Sequence, residues 1–569
     1  MNNKEYVKWI ESYTIDPEIK EQLFLMDESE REDAFSKKLE FGTAGLRGKI
    51  GPGSNRMNHY VVAKSTLGFI TYLKDKYPTI YERGIVVAYD NRKFSQEFAA
   101  LVANLFASQQ IKVYIFEDIR PTPQLSFMIR ELKCCAGINI TASHNPKEYN
   151  GYKVYDAFGC QILPDEITKI VSYIDEIKNE LDIEIENFDN NEQLIHFLDE
   201  KDDELFIDAA LELMVNKDLD VRDTPIIYTP LHGAGSKIIP KVIERAGFSH
   251  IFTLNAQMIA DSEFTTCSQP NPEDINAYAL GIEKANQLKI NYVIATDPDA
   301  DRVGVCVRRF NNEFKLLSGN ELGALLLNYI LEQRQQQGLL SDNSLMIDTI
   351  VTSDLGKAIA AKYNLYNISV LTGFKYIGSL INEFSQTAEY KFEFGYEESL
   401  GFLASSYVAD KDAVSITLIV AEMINYYKKA GKDLLTVLNE IYAEHGYYLN
   451  KQISIVLDAK TSKERIEKVM EFFRNPELEE ILERELIEFA DYENQVRYTE
   501  EGEVKIMLPV EQALKITLED GCWLAIRPSG TEPKLKIYLG IKAPSMDEAK
   551  QLIKNFQDYV NTTLEELFI

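Results

Sequence analysis

Three aspartates alternate in the sequence DPDADR, which starts at Asp297 and follows an apolar run. Alternation after a predicted strand allows the carboxylates of Asp297, Asp299 and Asp301 to converge on one hard cation. A calcium-binding EF-hand would need glycine at the sixth loop position and glutamate at the twelfth, where this chain has Arg302 and Arg308. An open magnesium site, with places left for water or a phosphoryl oxygen, fits the pattern better. The alternative is a solvated acidic turn.

Ser143 is a second candidate for chemistry. It lies in the sequence TASHNP at residues 141–146, directly after a predicted buried strand at residues 134–140. Open α/β sheets hold reacting groups in loops at the carboxyl ends of their strands, so this hydroxyl is a candidate nucleophile. The alternative is that serine, histidine and asparagine only build a turn here.

Other loops offer groups that suit a phosphorylated ligand. The sequence RPSGTEPK at residues 527–534 combines a guanidinium, two hydroxyls and glycine-freed backbone N–H groups, which together suit a phosphate dianion. Arg47 stands among three glycines in the sequence FGTAGLRG. Residues 397–399, Glu-Glu-Ser between glycines, offer acceptors for sugar hydroxyls. Taken singly, the last two segments are equally compatible with ordinary loops.

Composition limits the class of protein. The net charge of −30 argues against binding to nucleic acid and requires a local pocket of Arg and Lys for any anionic substrate. The start of the chain lacks a signal-peptide pattern, and no stretch approaches the ~18–20 apolar residues of a membrane helix. Six cysteines without a C-x-x-C pair predict reduced thiols in a cytoplasmic protein.

Elements that must position these residues can be predicted from periodicity. Residues 4–40 are predicted to be helical, and strands then alternate with helices up to residue 445, which indicates a mostly parallel sheet covered on both faces. The predicted strands of this region lie at residues 84–90, 111–116, 134–140, 225–229, 290–296, 344–348 and 368–371. After residue 445 the order becomes α+β, with short strands at residues 452–457, 522–527 and 535–539 and helices at residues 462–473 and 546–567. The alternation restarts twice, so the predicted domains are residues 1–205, 206–315, 316–445 and 446–569.

Together, these motifs resemble those of the α-D-phosphohexomutase superfamily, within it the longer phosphoglucomutases and phosphomannomutases. TASHNP resembles the family's phosphoserine loop, DPDADR its metal loop, GYEES its sugar loop and RPSGTEPK its phosphate loop. They occur in the family's order over nearly the whole chain. The resemblance implies an α/β fold of three related mixed or parallel α/β sandwich domains and a smaller α+β carboxyl-terminal domain, around one central cleft.

The resemblance also implies roles for individual residues. Ser143 would be the phosphorylated serine, assisted by His144. The metal ligands would be the Ser143 phosphoryl oxygen, Asp297, Asp299 and Asp301, holding one Mg²⁺ per chain. The other reacting groups would be Arg47, Lys153 and Arg302, with Lys153 a candidate acid or base. Substrate would be bound by Thr372, Gly373, Lys375, Glu397, Ser399, Arg527, Ser529, Gly530 and Thr531. The family counterpart of His232 varies, so the resemblance implies no role for it.

The activity implied by the resemblance is interconversion of glucose 1-phosphate and glucose 6-phosphate, with glucose 1,6-bisphosphate as intermediate and activator. Mannose or pentose phosphates are alternative substrates, although dual-specificity members have Met between the Glu and Ser of the sugar loop, where this chain has Glu398. A serine-phosphorylating metal hydrolase and a sugar-phosphate-binding protein without turnover are rival interpretations. Sugar phosphates are the expected partners, with no nucleic acid, membrane or obligate protein partner.

Overall fold

A computed structural model describes residues 3–42, 45–184, 192–220, 222–458, 461–475, 480–528 and 534–568. Its contacts divide the chain into two compact units. The first unit comprises residues 1–317, 377–389 and 400–430, and the second comprises residues 318–376, 390–399 and 431–569. The four predicted domain boundaries stay a prediction, because these units join segments from more than one predicted domain.

The first sheet of the first unit is mixed. Its strands are β1 (Leu46–Lys49), β2 (Ile85–Tyr89), β3 (Val113–Phe116), β4 (Ala136–Ile140), β5 (Tyr149–Tyr155) and β6 (Ile195–Leu198). In the order β1-β5-β4-β2-β3-β6, the β4-β2-β3-β6 part is parallel, and β5 and β1 add antiparallel strands at one edge. The prediction of a mostly parallel sheet is therefore confirmed.

Helices cover both faces of this sheet. They are α4 (His59–Lys76), α5 (Ile80–Arg83), α6 (Ser95–Ser108), α7 (Thr122–Glu131), α8 (Pro164–Glu176) and α9 (Glu200–Leu211). Successive residues of β2 point to opposite faces. Ile85 and Val87 pack in the core that contains α4 and α6, whereas Val86 packs in the core that contains α7. A strand buried on both faces explains why the sequence of β2 is continuously apolar.

The amino-terminal segment contains three helices, where the sequence predicts one helical stretch over residues 4–40. They are α1 (Asn3–Glu11), α2 (Pro17–Leu25) and α3 (Glu28–Phe35). Asp16 caps α2 by accepting a hydrogen bond from the Glu18 N–H, and Asp27 forms a capping box with Glu30. These caps start new helices, because an N-cap residue adopts a non-helical backbone conformation.

The first unit has a second sheet. Its strands are β7 (Ile226–Thr229), β8 (Ile251–Thr253), β9 (Tyr292–Thr296), β10 (Val303–Arg308) and β11 (Phe314–Leu316), and its helices are α10 (Gly235–Arg245), α11 (Asn255–Met258) and α12 (Ala279–Leu288). The strand order is β11-β10-β9-β7-β8. β9 and β10 pair antiparallel, with Thr296 opposite Val303. The aspartate loop is therefore the connection of a hairpin, held at both ends by the sheet.

The second unit contains a parallel sheet in which β12 (Ser344–Thr349) pairs with β13 (Tyr366–Val370) and with β14 (Lys391–Glu397). Its helices are α13 (Gly319–Gln336), α14 (Asp354–Lys362) and α17 (Leu434–His445). Helix α15 (Phe374–Thr387) starts in this unit, whereas β15 (Gly401–Leu403) and α16 (Ala413–Lys429) belong to the first.

The carboxyl-terminal part of the second unit is an antiparallel sheet with two helices, as the predicted α+β order requires. Its strands are β16 (Tyr447–Val456), β17 (Glu480–Ile481), β18 (Arg484–Asp491), β19 (Val496–Thr499), β20 (Gly502–Lys505), β21 (Leu514–Leu518), β22 (Trp523–Pro528) and β23 (Lys534–Ala543). Helices α18 (Ser462–Arg474) and α19 (Met546–Phe568) pack their apolar faces into the core of this sheet. The predicted fold class, several α/β sheets and a carboxyl-terminal α+β domain, is confirmed. Among the helices that the structure describes, none combines the length and apolarity needed to cross a bilayer.

The core of the first sheet should dominate the stability of the first unit. Phe106 on α6 is fully buried in that core, whereas Phe310, in the turn between β10 and β11, is 97% exposed. Phe106→Ala should lower the free energy of unfolding by about 3–5 kcal/mol through lost burial and a residual cavity. Phe310→Ala should change it by no more than about 0.5 kcal/mol. Urea unfolding of both variants checks this, and equal losses would contradict the assigned core.

Candidate active site

Four loops or strands of the first compact unit bring the predicted reacting groups together. Ser143 follows β4, Lys153 lies on the neighbouring antiparallel strand β5, and Arg47 lies on β1 beside it. The aspartate loop follows β9 of the second sheet. Its Asp297 carboxylate lies in direct contact with the Ser143 hydroxyl, so two separate sheets contribute to one site.

The Ser143 side chain is held between an acid and an imidazole. Ser143 Oγ donates a hydrogen bond of 2.6 Å to Asp297 Oδ2 and lies 3.1 Å from His144 Nδ1. Ser143 has φ 52°, a left-handed conformation that costs a non-glycine residue about 1–2 kcal/mol. Such strain is typical of functional positions, and here it directs the hydroxyl toward the aspartates.

The three aspartates form a buried cluster that fits a divalent cation. Ligand atoms of Asp297, Asp299 and Asp301 all lie within 4.8 Å of one another. Lys153 Nζ donates to Oδ2 of Asp299 at 2.7 Å and to Oδ2 of Asp301 at 3.2 Å. Oδ1 of Asp299 and Oδ1 of Asp301 are buried and have no hydrogen-bond partner among the described residues. Each of these two carboxylates therefore uses Oδ2 for hydrogen bonds to the protein and has an Oδ1 that could accept a further ligand.

The surroundings shift the pKa of Asp297 and that of Asp301 in opposite directions. Burial raises the pKa of Asp297 well above its usual value, and the neighbouring charges of Asp299 and Asp301 raise it further. Burial also acts to raise the pKa of Asp301, but Lys411, Lys153 and Arg302 outweigh it and the pKa is lowered. Three carboxylates packed this closely therefore lack enough positive charge at the Asp297 side of the cluster. A divalent cation would supply that charge.

Arg47, His144 and Arg302 surround this cluster. Arg47 Nη1 donates to Asn145 Oδ1 at 3.1 Å. Arg302 Nη1 lies 3.6 Å from Glu273 Oε2, and its Nε lies 3.9 Å from Asp301 Oδ1. Desolvation, together with the Arg302 and Arg47 guanidinium groups, lowers the pKa of His144 well below its usual value. A ring with that pKa is neutral at pH 7.

Lys411, Thr122 and Arg92 complete the site although sequence reasoning does not identify them. Lys411 Nζ lies 3.3 Å from Asp301 Oδ2, and Thr122 Oγ1 donates to Asp299 Oδ2 at 2.9 Å. Arg92 Nη2 donates to the Ser143 carbonyl oxygen at 2.5 Å. Of these three residues, only Arg92 could have been identified from the sequence, because it ends the polar sequence DNR directly after the apolar strand β2.

The His232 ring makes a contact through each of its two nitrogens. Its Nδ1 lies 2.9 Å from the Ile259 carbonyl oxygen, and its Nε2 lies 2.7 Å from Thr266 Oγ1. Both ring nitrogens are therefore occupied in holding the 259–266 loop.

Residues predicted to bind substrate lie in the second compact unit. The Gly373 N–H donates to Glu397 Oε1 at 2.9 Å, which joins the loop of Thr372, Gly373 and Lys375 to that of Glu397 and Ser399. Gly373 has φ 126°, a conformation that favours glycine at this turn. The remaining predicted residues, Ser529, Gly530 and Thr531, lie outside the described residues.

Arg527, at the end of β22, is held within the same unit. Its Nε donates to Glu511 Oε1, and Glu511 and Tyr538 raise the pKa of Arg527 against the opposing effect of burial. Tyr538 also interacts electrostatically with Glu397 and Glu398. The predicted phosphate arginine and the predicted sugar loop thus lie near one another, and Glu511 and Tyr538 are further polar residues that sequence reasoning does not identify.

Family models match the chain almost from end to end. Matches run through residues 38–181, 204–311, 318–445 and 458–558. They correspond in order to alpha/beta/alpha domains I, II and III and to the C-terminal domain of phosphoglucomutase/phosphomannomutase.

Individual relatives agree with these matches. A protein of Staphylococcus haemolyticus named phosphoglucomutase is 38% identical over 92% of this chain and 94% of its own length. The fold is similar to that of parafusin, a phosphoglucomutase from Paramecium, with TM-score 0.67, 17% identity and coverage of 93% and 95% of the two chains. It is also similar to N-acetylphosphoglucosamine mutase of Aspergillus fumigatus in complex with GlcNAc-6P and magnesium, with TM-score 0.51, 15% identity and coverage of 92% and 96%. With four consecutive domain matches and a relative this similar over nearly its whole length, the chain belongs to the phosphoglucomutase/phosphomannomutase family.

Proposed function

We propose that the protein is a Mg²⁺-dependent phosphoglucomutase that interconverts glucose 1-phosphate and glucose 6-phosphate through phosphorylated Ser143. The contact of 2.6 Å between Ser143 Oγ and Asp297 Oδ2, within a buried cluster of three carboxylates, carries the proposal. The contact supports the proposal because a hydroxyl in this position could act as a nucleophile beside a divalent cation held by the carboxylates. The names of the staphylococcal relatives support the choice of sugar.

The aspartate cluster would hold one Mg²⁺ per chain. Asp297, Asp299, Asp301 and a phosphoryl oxygen on Ser143 would be the ligands, with Oδ1 of Asp299 and of Asp301 already available. When bound, the ion supplies positive charge beside the oxygens of the transferring phosphoryl group. The magnesium complex of the Aspergillus relative supports this cofactor.

Phosphoryl transfer then depends on position and charge. The bond between phosphorus and Ser143 Oγ breaks as a bond forms from phosphorus to the oxygen of the free sugar hydroxyl. The sugar hydroxyl gives up its proton and Ser143 Oγ takes one up, giving glucose 1,6-bisphosphate and unmodified serine. The bisphosphate turns over and returns its other phosphoryl group to Ser143. Arg47 and Arg302 would stabilise the charge on the oxygens in transit, Lys153 would act as acid or base, and His144 would assist through its contact with Ser143 Oγ.

Residues of the second unit would bind the substrate away from the reacting phosphoryl group. Thr372, Gly373 and Lys375 would distinguish sugars, and Glu397 and Ser399 would bind hydroxyls. The phosphate that is not transferred would be held by Arg527, Ser529, Gly530 and Thr531. The hydrogen bond from Gly373 to Glu397 supports joint action of the two sugar-binding loops, because a shift of one moves the other.

The proposal also includes the cellular compartment, the partners and the domains of the protein. All six cysteines are buried and carry thiols, not disulfides, which supports a reducing compartment such as the cytoplasm. Sugar phosphates are the proposed partners, and residues 1–205, 206–315, 316–445 and 446–569 are the proposed domains.

The first prediction from the proposed function concerns phosphate on Ser143. Incubation with glucose 1,6-bisphosphate should add one phosphoryl group to the peptide containing residues 141–146, measured by intact mass and peptide mapping. Ser143→Ala should lose this phosphate and all mutase activity. The control is Ser249→Ala, because Ser249 Oγ also lies 3.0 Å from a following histidine, His250, but on the surface. Phosphate found elsewhere, or an active Ser143→Ala enzyme, would contradict the mechanism.

Metal dependence is the second prediction. Asp299→Asn should lower kcat at least roughly 100-fold, because it removes a ligand charge beside the transferring group. The exposed Asp547→Asn on α19 is the control and should keep full activity. Removal of metal with excess EDTA should abolish wild-type turnover and added Mg²⁺ should restore it. Turnover that persists in EDTA would rule out the metal role.

Sugar preference is the third prediction. Glucose and mannose differ only at the C2 hydroxyl, and an unpaired buried hydrogen-bonding group costs about 1–3 kcal/mol, or roughly 10–100-fold in kcat/KM. Glucose 1-phosphate should therefore exceed mannose 1-phosphate by that factor, with ribose 1-phosphate below glucose. Glu397→Gln should slow both hexoses, whereas exposed Glu389→Gln should not. A mannose or ribose preference would show that the sugar loop is misassigned, with the phosphoserine chemistry still open to its own test.

A further inference from the structure

Arg92 carries out no chemical step in the proposed transfer, yet its guanidinium organises the loop that carries Ser143. The side chain has no solvent exposure. Its Nη2 donates to the carbonyl oxygens of Ser143 and Asn145, each at 2.5 Å. Its Nη1 donates to the carbonyl oxygens of Pro146 and Tyr149, at 2.8 and 3.0 Å. A single planar group thus fixes three carbonyls of the loop between β4 and β5 and the first carbonyl of β5.

Asp90 connects Arg92 to the other side of Ser143. Asp90 Oδ2 lies 3.2 Å from Arg92 Nε and accepts a hydrogen bond of 2.6 Å from Thr141 Oγ1. Thr141 Oγ1 in turn accepts the Ser143 N–H at 2.8 Å. The N–H and the carbonyl of Ser143 are therefore both held by one closed ring of contacts. We call Asp90, Arg92 and Thr141 the Ser143 clamp.

The clamp explains how Ser143 keeps an unfavourable backbone conformation. With φ 52° the residue is in the left-handed region, from which a serine would ordinarily relax. Relaxation would rotate the N–H away from Thr141 or the carbonyl away from Arg92, leaving buried groups unpaired. In the held conformation, Oγ points to Asp297 Oδ2 at 2.6 Å. The clamp therefore determines whether the hydroxyl meets the aspartate cluster.

The 259–266 loop encloses the clamp. The Phe264 ring centroid lies 5.3 Å from the Arg92 guanidinium carbon, and Asn91 Nδ2 donates to the Asp261 carbonyl oxygen at 2.9 Å. His232 holds the same loop through both of its ring nitrogens. An aromatic cover keeps water from the guanidinium, which strengthens its hydrogen bonds to the carbonyls.

We propose that Arg92 is a positioning residue for phosphoryl transfer, which acts through the backbone of Ser143 and never touches the substrate. The inference rests on the proposed function, because it assigns Arg92 to the step in which Ser143 gains and loses phosphate. The guanidinium makes five contacts, four to carbonyl oxygens and one to a carboxylate, and these contacts require its forked shape. A lysine of the same charge cannot reproduce them.

The test compares Arg92→Lys with Arg83→Lys. Arg83 precedes β2 as Arg92 follows it, and it also donates to two carbonyl oxygens, those of Lys133 and Cys134, at 2.7 and 3.0 Å. Arg92→Lys should lower kcat at least roughly 100-fold, since small misplacements of a reacting group have effects of that size. KM for glucose 1-phosphate should stay within about threefold, because substrate contacts are untouched. Arg83→Lys should leave both constants unchanged.

Two further measurements separate positioning from stability. In a single turnover with glucose 1,6-bisphosphate, phosphate should appear on Ser143 at least roughly 100-fold more slowly in Arg92→Lys, at a temperature where circular dichroism shows the folded protein. Guanidinium ion should restore kcat of Arg92→Ala, and methylammonium should not. If Arg92→Lys does not fold, Thr141→Val, which removes the acceptor of the Ser143 N–H, decides the matter through the same loss of kcat at constant KM.

Wild-type kcat in folded Arg92→Lys, or in Thr141→Val, would overturn the proposal, and so would a rise in KM with kcat unchanged. Failure of the proposed function is a different result. In that case the wild-type protein itself would show no sugar-phosphate mutase activity and no phosphate on Ser143.

Discussion

The burial of three carboxylates beside a serine hydroxyl is the constraint on which the first compact unit depends. Each buried charge costs several kcal/mol unless it is paired, so Asp297, Asp299 and Asp301 require compensating cations. Lys153 and Lys411 meet that requirement for two of them, each through the Oδ2 atoms. The cluster nevertheless stays deficient in positive charge, as the raised pKa of Asp297 reflects. Incomplete compensation is the property that would let the cluster take up a cation, as the proposed function requires.

Sheet geometry determines how these groups meet. The parallel strands β2 and β4 deliver their following loops, with Asp90 and Ser143, to one edge of the first sheet. The loop after β9 of the second sheet brings Asp297 into contact with Ser143. The antiparallel strand β5 then runs back past β4 and carries Lys153 to the aspartates. Strands anchor these residues better than isolated loops would, which matters because phosphoryl transfer depends mainly on positioning. The left-handed conformation of Ser143 is tolerable for the same reason, since fixed neighbours on both sides hold it.

Much of the fold follows from local pattern. Strands β2, β4 and β9 are buried on both faces, and their largely apolar sequences identify them, although β4 contains the buried Asn139. Strand β5 is different, because Asn150 and Lys153 place polar side chains in its sequence, and Lys153 contacts Asp299 and Asp301. Strand β5 is therefore missing from the strands that periodicity predicts. A similar limit applies to residues 4–40, where charge and helix propensity are clear but the caps at Asp16 and Asp27 divide the segment.

The sequence by itself determined the residue types of the site, their order along the chain and the family, because short loops with unusual composition carry that information locally. Only the tertiary structure decided the pairing of individual atoms. Lys411 lies far from Asp301 in sequence, and Arg92 far from Ser143, yet both are direct partners. Nothing local to either residue marks such a contact, since it arises when separate strands and helices pack. Which carboxylate oxygens face the lysines, and which stay available for a cation, is likewise a consequence of that packing.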